Sequence, residues 1–468
     1  SIERREHSLD LIIRVQAKKS YTLGLSPSFG TRNGYRFSVD YAKNNLTQDG
    51  LRFTSVVSFS QEKLQRSVLT TQRILGRKLT LGLSEPMLKI GNLVSPLDWN
   101  LLSGFEVSAQ SLTDRYFETF ETGVFWRPYF LERTWSIQAK LAHEWSKAIG
   151  TSLQTLEALD KPTVKIHEVV LGLSLDTRVN PEWPTSGGTF DLTSSHARFG
   201  LDSDVQFDRY SADFGYFFPI WGRLSGAIST GGLKVSDVVN AQSEALTAPG
   251  SRRATLAGRS LVRGFPEASS ALTPGPLVWL NLTPPADNPE LTCVPTLRTI
   301  GATNVLYAKS ELRFRSPFFG DSLGFAGFLD SGAAFFTTSE LAALQSRLSG
   351  GDGALDAGGI DSCALSSAQV ISDSAVDFKN LSLLRQFFKN SYISGGLSAR
   401  YIISTFASLN FDVGFPIQEP YQSGKCIQAS ELSQLRQAPK CVVRRSSSNL
   451  FGVVPLPGAY HVGIGANF

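Results

Sequence analysis

The sequence predicts an all-β chain that folds as a 16-stranded antiparallel transmembrane β-barrel. Segments of about ten residues in which apolar and polar residues alternate recur along the chain, and turn residues separate them. No apolar run approaches the ~20 residues that a membrane-spanning helix needs. The composition, with 42% hydrophobic and 11% aromatic residues, 41 glycines and one methionine, is typical of a large β protein. Length alone would suggest about two or three soluble domains, and the alternating pattern argues against that.

The alternating segments have one apolar face and one polar face. On the tenth segment, Tyr210, Phe214 and Tyr216 share one face, whereas Arg209 and Asp213 share the other. An apolar outside and a charged inside suit a membrane barrel with a polar lumen. A soluble sandwich with one solvated face is the alternative, but it does not explain aromatic residues at so many strand ends.

The sixteen predicted strands are 20–30, 34–43, 51–60, 70–83, 99–110, 114–127, 133–145, 164–177, 188–198, 206–218, 222–232, 303–316, 322–334, 391–402, 405–415 and 458–468. The links after strands two, six, ten, twelve and fourteen are short, as at Arg127–Phe130 and Pro219–Gly222. Long loops at about 233–302, 335–390 and 416–457 follow strands eleven, thirteen and fifteen. Short periplasmic turns and long extracellular loops are typical of outer-membrane barrels. Two links do not fit, because Ser84–Leu97 is long on the short side and Arg32–Gly34 is tight on the long side.

The first long loop contains an unusual arginine. Its prolines, over Leu233 to Thr303, leave little room for regular structure, yet Leu261 and Val262 precede Arg263, and Gly264 and Phe265 follow it. The apolar flanks favour burial, and the glycine permits a positive φ. A buried guanidinium requires a fixed acidic partner.

The cysteines lie in the long loops, which are the oxidising side in this topology. Cys426–Cys441 is the preferred disulfide, which leaves Cys293–Cys363 to join two loops, and other pairings stay open. Cysteine and histidine spacing gives no metal motif, and no cofactor is predicted. The five histidines are scattered, which favours solvated or lumen-facing side chains. A net charge of +4 does not favour a nucleic-acid partner.

Four stretches and the last strand carry a family resemblance. They are Val262–Phe265 in the sixth external loop, Lys309–Phe314 on strand twelve, Gly327–Gly332 on strand thirteen, and Asp176–Gly188 before strand nine. Together they resemble the outer-membrane-protein assembly family of BamA and TamA type, which also includes two-partner secretion transporters. The last strand alternates to a terminal Phe468, as the targeting strand of bacterial outer-membrane barrels does, although an apolar edge strand would also alternate.

The resemblance implies that the sixth loop folds into the lumen. Phe328 and Asp330 are two residues apart and therefore share a face of strand thirteen, in the Phe-x-Asp-x-Gly motif that ends at Gly332. Arg263 would pair with Asp330, stack on Phe328 and reach Glu311 on strand twelve. The contact could be a static pin that holds the loop in place, or a functional latch that opens and closes. The residues do not distinguish these two roles.

The resemblance also implies how the chain is divided and what it does. Residues 1–19 resemble the end of a periplasmic POTRA-like domain, and 20–468 form the barrel. The implied activity is insertion and assembly of other outer-membrane barrels through a weak seam between the first and last strands. The predicted seam residues are Gly24, Pro27, Gly30, Gly463, Gly465 and Phe468. The glycines contribute no side-chain packing, the proline cannot donate to a ladder, and Phe468 is the last residue.

Two other functions are compatible with the sequence: a two-partner secretion transporter, and a passive pore or membrane anchor. The expected location is the outer membrane of a Gram-negative bacterium. The expected partners are outer-membrane lipid including lipopolysaccharide, unfolded outer-membrane protein clients, and periplasmic or lipoprotein accessory subunits. No enzyme is predicted, since Gly320–Gly324, which matches Gly-x-Ser-x-Gly, lies in a tight turn between two strands.

Overall fold

The structure is a computed structural model that describes most of the strands and parts of the loops. The described residues are 20–30, 34–47, 50–65, 71–90, 93–110, 113–126, 134–149, 163–179, 183–198, 201–240, 248–249, 252–254, 256, 261–265, 275–282, 294–299, 301–318, 322–337, 340–342, 344, 369–370, 375–376, 391–404, 407–419, 427–428, 442–443, 447–450, 454–457 and 459–465.

Sixteen long strands follow one another along the chain. They are β1 Tyr21–Gly30, β2 Gly34–Lys43, β3 Arg52–Gln65, β4 Thr71–Ile90, β5 Leu93–Gln110, β6 Thr113–Trp126, β7 Trp135–Ile149, β8 Thr163–Asp176, β9 Gly187–Ala197, β10 Val205–Trp221, β11 Leu224–Asn240, β12 Asn304–Arg315, β13 Leu323–Thr337, β14 Tyr392–Ser404, β15 Ala407–Gln418 and β16 Ala459–Gly465.

Each of these strands pairs antiparallel with the next one in sequence, from β1 through β16. The principal sheet has 17 strands, namely these sixteen and the two-residue strand Ala375–Val376, which runs parallel to the end of β13. The predicted all-β, antiparallel barrel-type fold is confirmed. No helix within the described ranges is long and apolar enough to cross a membrane.

Among the described residues, no ladder closes the sheet. β1 and β16 approach within 8 Å between Cα atoms, but no pairing joins their described residues. In the part of the chain that the structure describes, β1 pairs with β2 and β16 pairs with β15. A closed sixteen-stranded barrel therefore stays a prediction.

The two faces of the strands differ as the alternation predicts. On β13, Phe325 and Leu329 are 45% and 50% exposed, whereas Phe328 and Asp330 are 6% and 0% exposed. The outward aromatic and aliphatic side chains are about half exposed, which suits contact with lipid. The inward polar side chains of β13 are covered by the loop that connects β11 to β12.

Several predicted strand ends are wrong by three or more residues. β4 continues to Ile90 and β5 begins at Leu93, so Ser84–Leu97 is a long hairpin end and not a long link. β10 runs to Trp221, and its turn is at Gly222, where φ is 55°. β11 runs to Asn240, into the stretch predicted as loop. Alternation weakens near strand ends because turns on the aqueous sides accept either residue class.

The loop connecting β11 to β12, hereafter loop six, contains regular structure that its prolines did not suggest. Leu277–Leu282 pairs antiparallel with Val294–Thr299 and also with Gln369–Val370 from the loop after β13. Pro295 lies within this small three-stranded sheet, opposite Asn281. Proline is tolerated at a strand start or edge, where its missing N–H need not join a ladder.

Candidate functional site

The tip of loop six is buried against the inward face of the sheet. Val262 and Phe265 are both 0% exposed. The Phe265 ring meets the Tyr392 ring edge-on, with centroids 5.7 Å apart and an interplanar angle of 87°. The other apolar residues of this cluster come from loop six itself and from β12 and β13: Leu256, Ala302, Val305 and Ala334. Burial of these side chains holds the tip in place.

The tip brings the guanidinium of Arg263 to a carboxylate on β13. Arg263 Nε donates to Asp330 Oδ2 at 2.7 Å, and Nη2 donates to Oδ1 at 2.8 Å. The backbone N–H of Arg263 also donates to Oδ2, at 3.0 Å. Such parallel charge-assisted bonds are the strongest and most orientation-specific form of this pair.

Two further contacts complete the surroundings of Arg263. Its Nη1 lies 2.6 Å from Glu311 Oε1 on β12, and its guanidinium carbon lies 3.7 Å from the centroid of the Phe328 ring. Burial alone would lower the pKa of Arg263, but the hydrogen bond to Asp330 and the charges of Glu311 and Asp330 raise it above the ordinary value. The side chain is therefore a permanent buried cation with an acid on each side.

A second arginine supports Glu311 from the other direction. Arg313 donates from Nε to Glu311 Oε2 at 2.7 Å, and its guanidinium lies 5.0 Å from the Phe217 ring centroid. A cavity of about 140 Å³ lies beside Glu311 and Arg313, and more basic than acidic side chains line it. Trp183, from the link before β9, lies against Gly324 in its wall.

Glycine is required at two places where backbones touch. Gly264 has φ of 98°, and a Cβ there would lie 2.8 Å from Ser394 Cβ and 3.1 Å from the Gly414 carbonyl carbon. Ser394 on β14 donates its hydroxyl to the carbonyl of Arg263. A Cβ on Gly332 would lie 2.7 Å from Leu256 and 3.0 Å from Val262. The tip thus contacts β12, β13, β14 and β15.

Loop six has a second buried arginine that the sequence analysis did not identify. Arg252 donates from Nη1 to Glu144 Oε2 on β7 at 2.7 Å, and from Nη2 to Glu168 Oε1 on β8 at 2.8 Å. Ser195 on β9 donates to the other oxygen of Glu168. The guanidinium carbon lies 5.9 Å from the Phe207 ring centroid.

Arg252 has the same electrostatic character as Arg263. Burial would lower its pKa, but the charges of Glu144 and Glu168 and the hydrogen bond to Glu144 raise it. Two adjacent arginines, Arg252 and Arg253, are the local signal that could have indicated this site. No local pattern, however, connects residues more than 80 positions apart.

Loop six therefore contacts two separate parts of the wall. Its Arg252 end is held by β7 and β8, and its Arg263 end is held by β12 and β13. We name these two contacts the near anchor (Arg252, Glu144, Glu168) and the tip anchor (Arg263, Glu311, Phe328, Asp330).

The predicted seam residues lie on strands that are paired on one side. In β1, Gly24, Pro27 and Gly30 pair with Asp40, Phe37 and Gly34 of β2. In β16, Gly463 and Gly465 pair with Asn410 and Ser408 of β15. Phe468, residues 1–19 and the cysteines Cys293, Cys363, Cys426 and Cys441 lie outside the described residues. Within the described ranges, no group of three or more His, Cys, Asp or Glu could hold a metal ion.

Comparison with known proteins gives one family match. The Omp85 superfamily domain matches residues 17–428. BamA from Haemophilus ducreyi lacking POTRA domains 1–3 is similar in structure, with a TM-score of 0.58 at 12% identity, covering 96% of this chain and 71% of that one. No curated protein matches the sequence.

Two CdiB structures are less similar. CdiB from Escherichia coli has a TM-score of 0.47 at 13% identity, covering 97% of this chain and 63% of that one. CdiB from Acinetobacter baumannii has a TM-score of 0.45 at 13% identity, covering 96% of this chain and 60% of that one. This chain thus spans less than two thirds of either CdiB chain.

Proposed function

Because this chain belongs to the Omp85 superfamily, whose members are β-barrel transporters or assembly factors of Gram-negative outer membranes, we propose that it assembles and inserts other outer-membrane barrels. The observation that carries the proposal is the open edge between β1 and β16. Every other neighbouring pair among the sixteen strands has a ladder, and this pair has none in the described residues.

An unpaired strand edge offers backbone N–H and C=O groups to another chain. In a membrane those groups cannot be left unsatisfied, so a client strand that pairs with them lowers the free energy. Strand addition of this kind needs no covalent chemistry. It depends on the alternation of apolar and polar residues in the added strand more than on the exact sequence of that strand. An unfolded outer-membrane protein, which is a series of alternating strands, fits that edge.

Loop six favours movement at this position. The described part of β16, Ala459–Gly465, forms a ladder with β15 and with no other strand among the described residues. Loop six holds β12 through β15 by the tip anchor and its glycine contacts. We propose that β15 is held fixed while β16 and β1 move.

The test is a disulfide lock across the edge. Cysteines at Leu25 in β1 and, one at a time, at Tyr460, Val462 and Ile464 in β16 scan the register, because the two strands share no ladder. The matched control joins Leu25 to Val39, which are partners in the β1–β2 ladder. In proteoliposomes with preceding periplasmic domains present, the edge lock should stop client insertion and the control lock should not. Full insertion activity in an oxidised edge lock contradicts the proposal.

Export of an unfolded polypeptide through the interior is the competing function. Loop six is held against the inward face of the sheet at both anchors, so we propose that export would require at least one of them to break. Planar-bilayer conductance of the wild type against a variant lacking Leu261–Phe265 separates the two functions. Assembly predicts low conductance in the wild type and client insertion without export.

The proposed partners follow from this function: unfolded outer-membrane clients, outer-membrane lipid including lipopolysaccharide, and periplasmic or lipoprotein accessory subunits. The proposed location is the outer membrane of a Gram-negative bacterium.

A further inference from the structure

Three polar residues form a hydrogen-bonded chain on the outward face of β9 and β10. Ser194 Oγ lies 2.7 Å from His196 Nε2, and His196 Nδ1 lies 2.7 Å from Asp208 Oδ1. His196 and Asp208 are directly opposite each other in the ladder, and Ser194 is two residues before His196 on the same face. We name these residues the outer relay.

The outer relay faces away from the lumen. Ser195, between its members, points inward to Glu168 of the near anchor. On the same face as the relay, Leu192 and Tyr210 are 41% and 43% exposed. His196 is therefore not lumen-facing, and a solvated side chain stays a prediction for it.

The position along the strands places the outer relay at the edge of the apolar belt. β9 ends at Ala197 and β10 begins at Val205, on the side of the long loops. Tyr210 meets the His196 ring edge-on, with centroids 5.9 Å apart, and Phe214 and Tyr216 continue the belt away from the relay. Aromatic residues mark the boundary between hydrocarbon and headgroups in membrane barrels. The ester linkages of a lipid lie at this boundary.

Arg198 orients the carboxylate. Its Nη2 lies 2.5 Å from Asp208 Oδ1, and its Nη1 donates to the carbonyls of Ala197 and Phe207 at 2.9 and 3.1 Å. The Arg198 side chain is 40% exposed and that of His196 is 32% exposed, so both are accessible from the membrane side. A cation at this level attracts a phosphate-bearing headgroup.

We propose that the outer relay is a catalytic site that hydrolyses acyl esters of membrane lipid. A serine hydrogen-bonded to a histidine, which a carboxylate holds in one tautomer, is the arrangement that activates a hydroxyl nucleophile. This activity is separate from the proposed assembly function. It also goes against the sequence-based prediction that the chain is not an enzyme.

Acyl transfer comes first. Ser194 Oγ attacks the ester carbonyl carbon while His196 Nε2 takes the hydroxyl proton. The ester C–O bond then breaks, and His196 gives that proton to the departing alcohol, the lysolipid. The acyl group stays on Ser194.

Water completes the cycle. It attacks the acyl-serine carbonyl, with His196 taking its proton, and the free fatty acid leaves as the proton returns to Ser194 Oγ. Asp208 stays ionised throughout and stabilises the imidazolium.

The test uses the purified, folded chain in mixed micelles of detergent and phosphatidylethanolamine, from a host strain without its own outer-membrane phospholipase. A fluorophosphonate probe should label Ser194, located by peptide mass spectrometry, and fatty acid should be released. Ser194→Ala should abolish both, and His196→Gln should lower release by about 100-fold or more. Ser310→Ala, on the outward side of β12, is the matched control and should change neither.

Heat-modifiable gel mobility verifies that each variant is folded. No label on Ser194 in the folded wild type overturns the proposal, and so does fatty-acid release that persists in Ser194→Ala. Labelling without release from any lipid overturns lipid ester as the substrate.

Discussion

Asp330 accepts three hydrogen bonds from the single residue Arg263, two from the guanidinium and one from the backbone N–H. The side chain of Asp330 is 0% exposed, and Arg263 of loop six supplies the positive charge and the hydrogen-bond donors that this buried carboxylate requires. Removing Arg263 takes all three of these hydrogen bonds from the buried carboxylate, and removing Asp330 leaves the buried guanidinium with Glu311 as its remaining ion-pair partner. Breaking a buried pair in this way costs more than the pair itself contributes.

The tip anchor should be a coupled unit. Arg263→Ala and Asp330→Asn should each destabilise the folded barrel, by up to about 3–5 kcal/mol, because each breaks a buried ion pair. The effect of Asp330→Asn should be the smaller, since Arg263 keeps its contact with Glu311. The temperature at which the heat-modifiable gel band shifts measures the effect. A double variant should cost less than the sum of the two. Additive or silent single changes would show that the two side chains do not pair.

The contribution of Arg263 should not depend on pH over the usual range. Its folded pKa is raised above the unfolded value, so its stabilisation is fully present below the unfolded pKa and is lost only above the folded one. Between about pH 7 and about pH 10, the guanidinium stays charged in both states. Stability of the wild type relative to Arg263→Ala should therefore be constant in this window. A steep change with pH would contradict a permanent cation.

Loss of the near anchor should free one end of loop six and leave the tip in place. Arg252→Ala should increase hydrogen exchange in peptides around residue 252, with little change in the peptide that covers 261–265. Combining it with Arg263→Ala should release the whole loop and raise pore conductance beyond either single change. Lys234→Ala, an exposed cation on β11, is the control. Release of the tip by Arg252→Ala alone would contradict independent anchors.

A methyl group should be tolerated at one glycine and not at another. Gly264→Ala places a Cβ 2.8 Å from Ser394 at a positive φ and should destabilise by about 1–3 kcal/mol. Gly327→Ala on β13 meets no atom within 4 Å and should be close to neutral. Both are compared by the temperature of the gel shift. Equal effects would mean that the tip does not approach β14 and β15 closely.

The disulfide Cys426–Cys441 remains a prediction. Ile427 and Val442, which follow these cysteines in sequence, are paired in a parallel register. Non-reducing proteolysis and mass spectrometry should find a peptide that links the two cysteines. A Cys426–Cys293 or Cys426–Cys363 peptide would contradict it.

The strands were predictable because alternation is a local consequence of having lipid on one side and water on the other. β13 illustrates this: Phe325 and Leu329 face outward and Phe328 and Asp330 inward, as their spacing in the sequence requires. The burial of Arg263 was also predictable from its neighbours in sequence, since apolar residues on both sides and an adjacent glycine favour a buried turn. The strand ends were less predictable, as at Ser84–Leu97, because there the surroundings no longer distinguish the two faces.

The fold class, the facing of the strands and the need of Arg263 for an acidic partner follow from the residues in their order along the chain. The contacts of Arg252 with Glu144 and Glu168 do not, nor does the absence of a ladder between the described parts of β1 and β16. The position of His196 opposite Asp208 likewise came from the folded structure. Facing depends on neighbours two residues away, whereas these relationships depend on strand register and on where a distant loop meets the sheet.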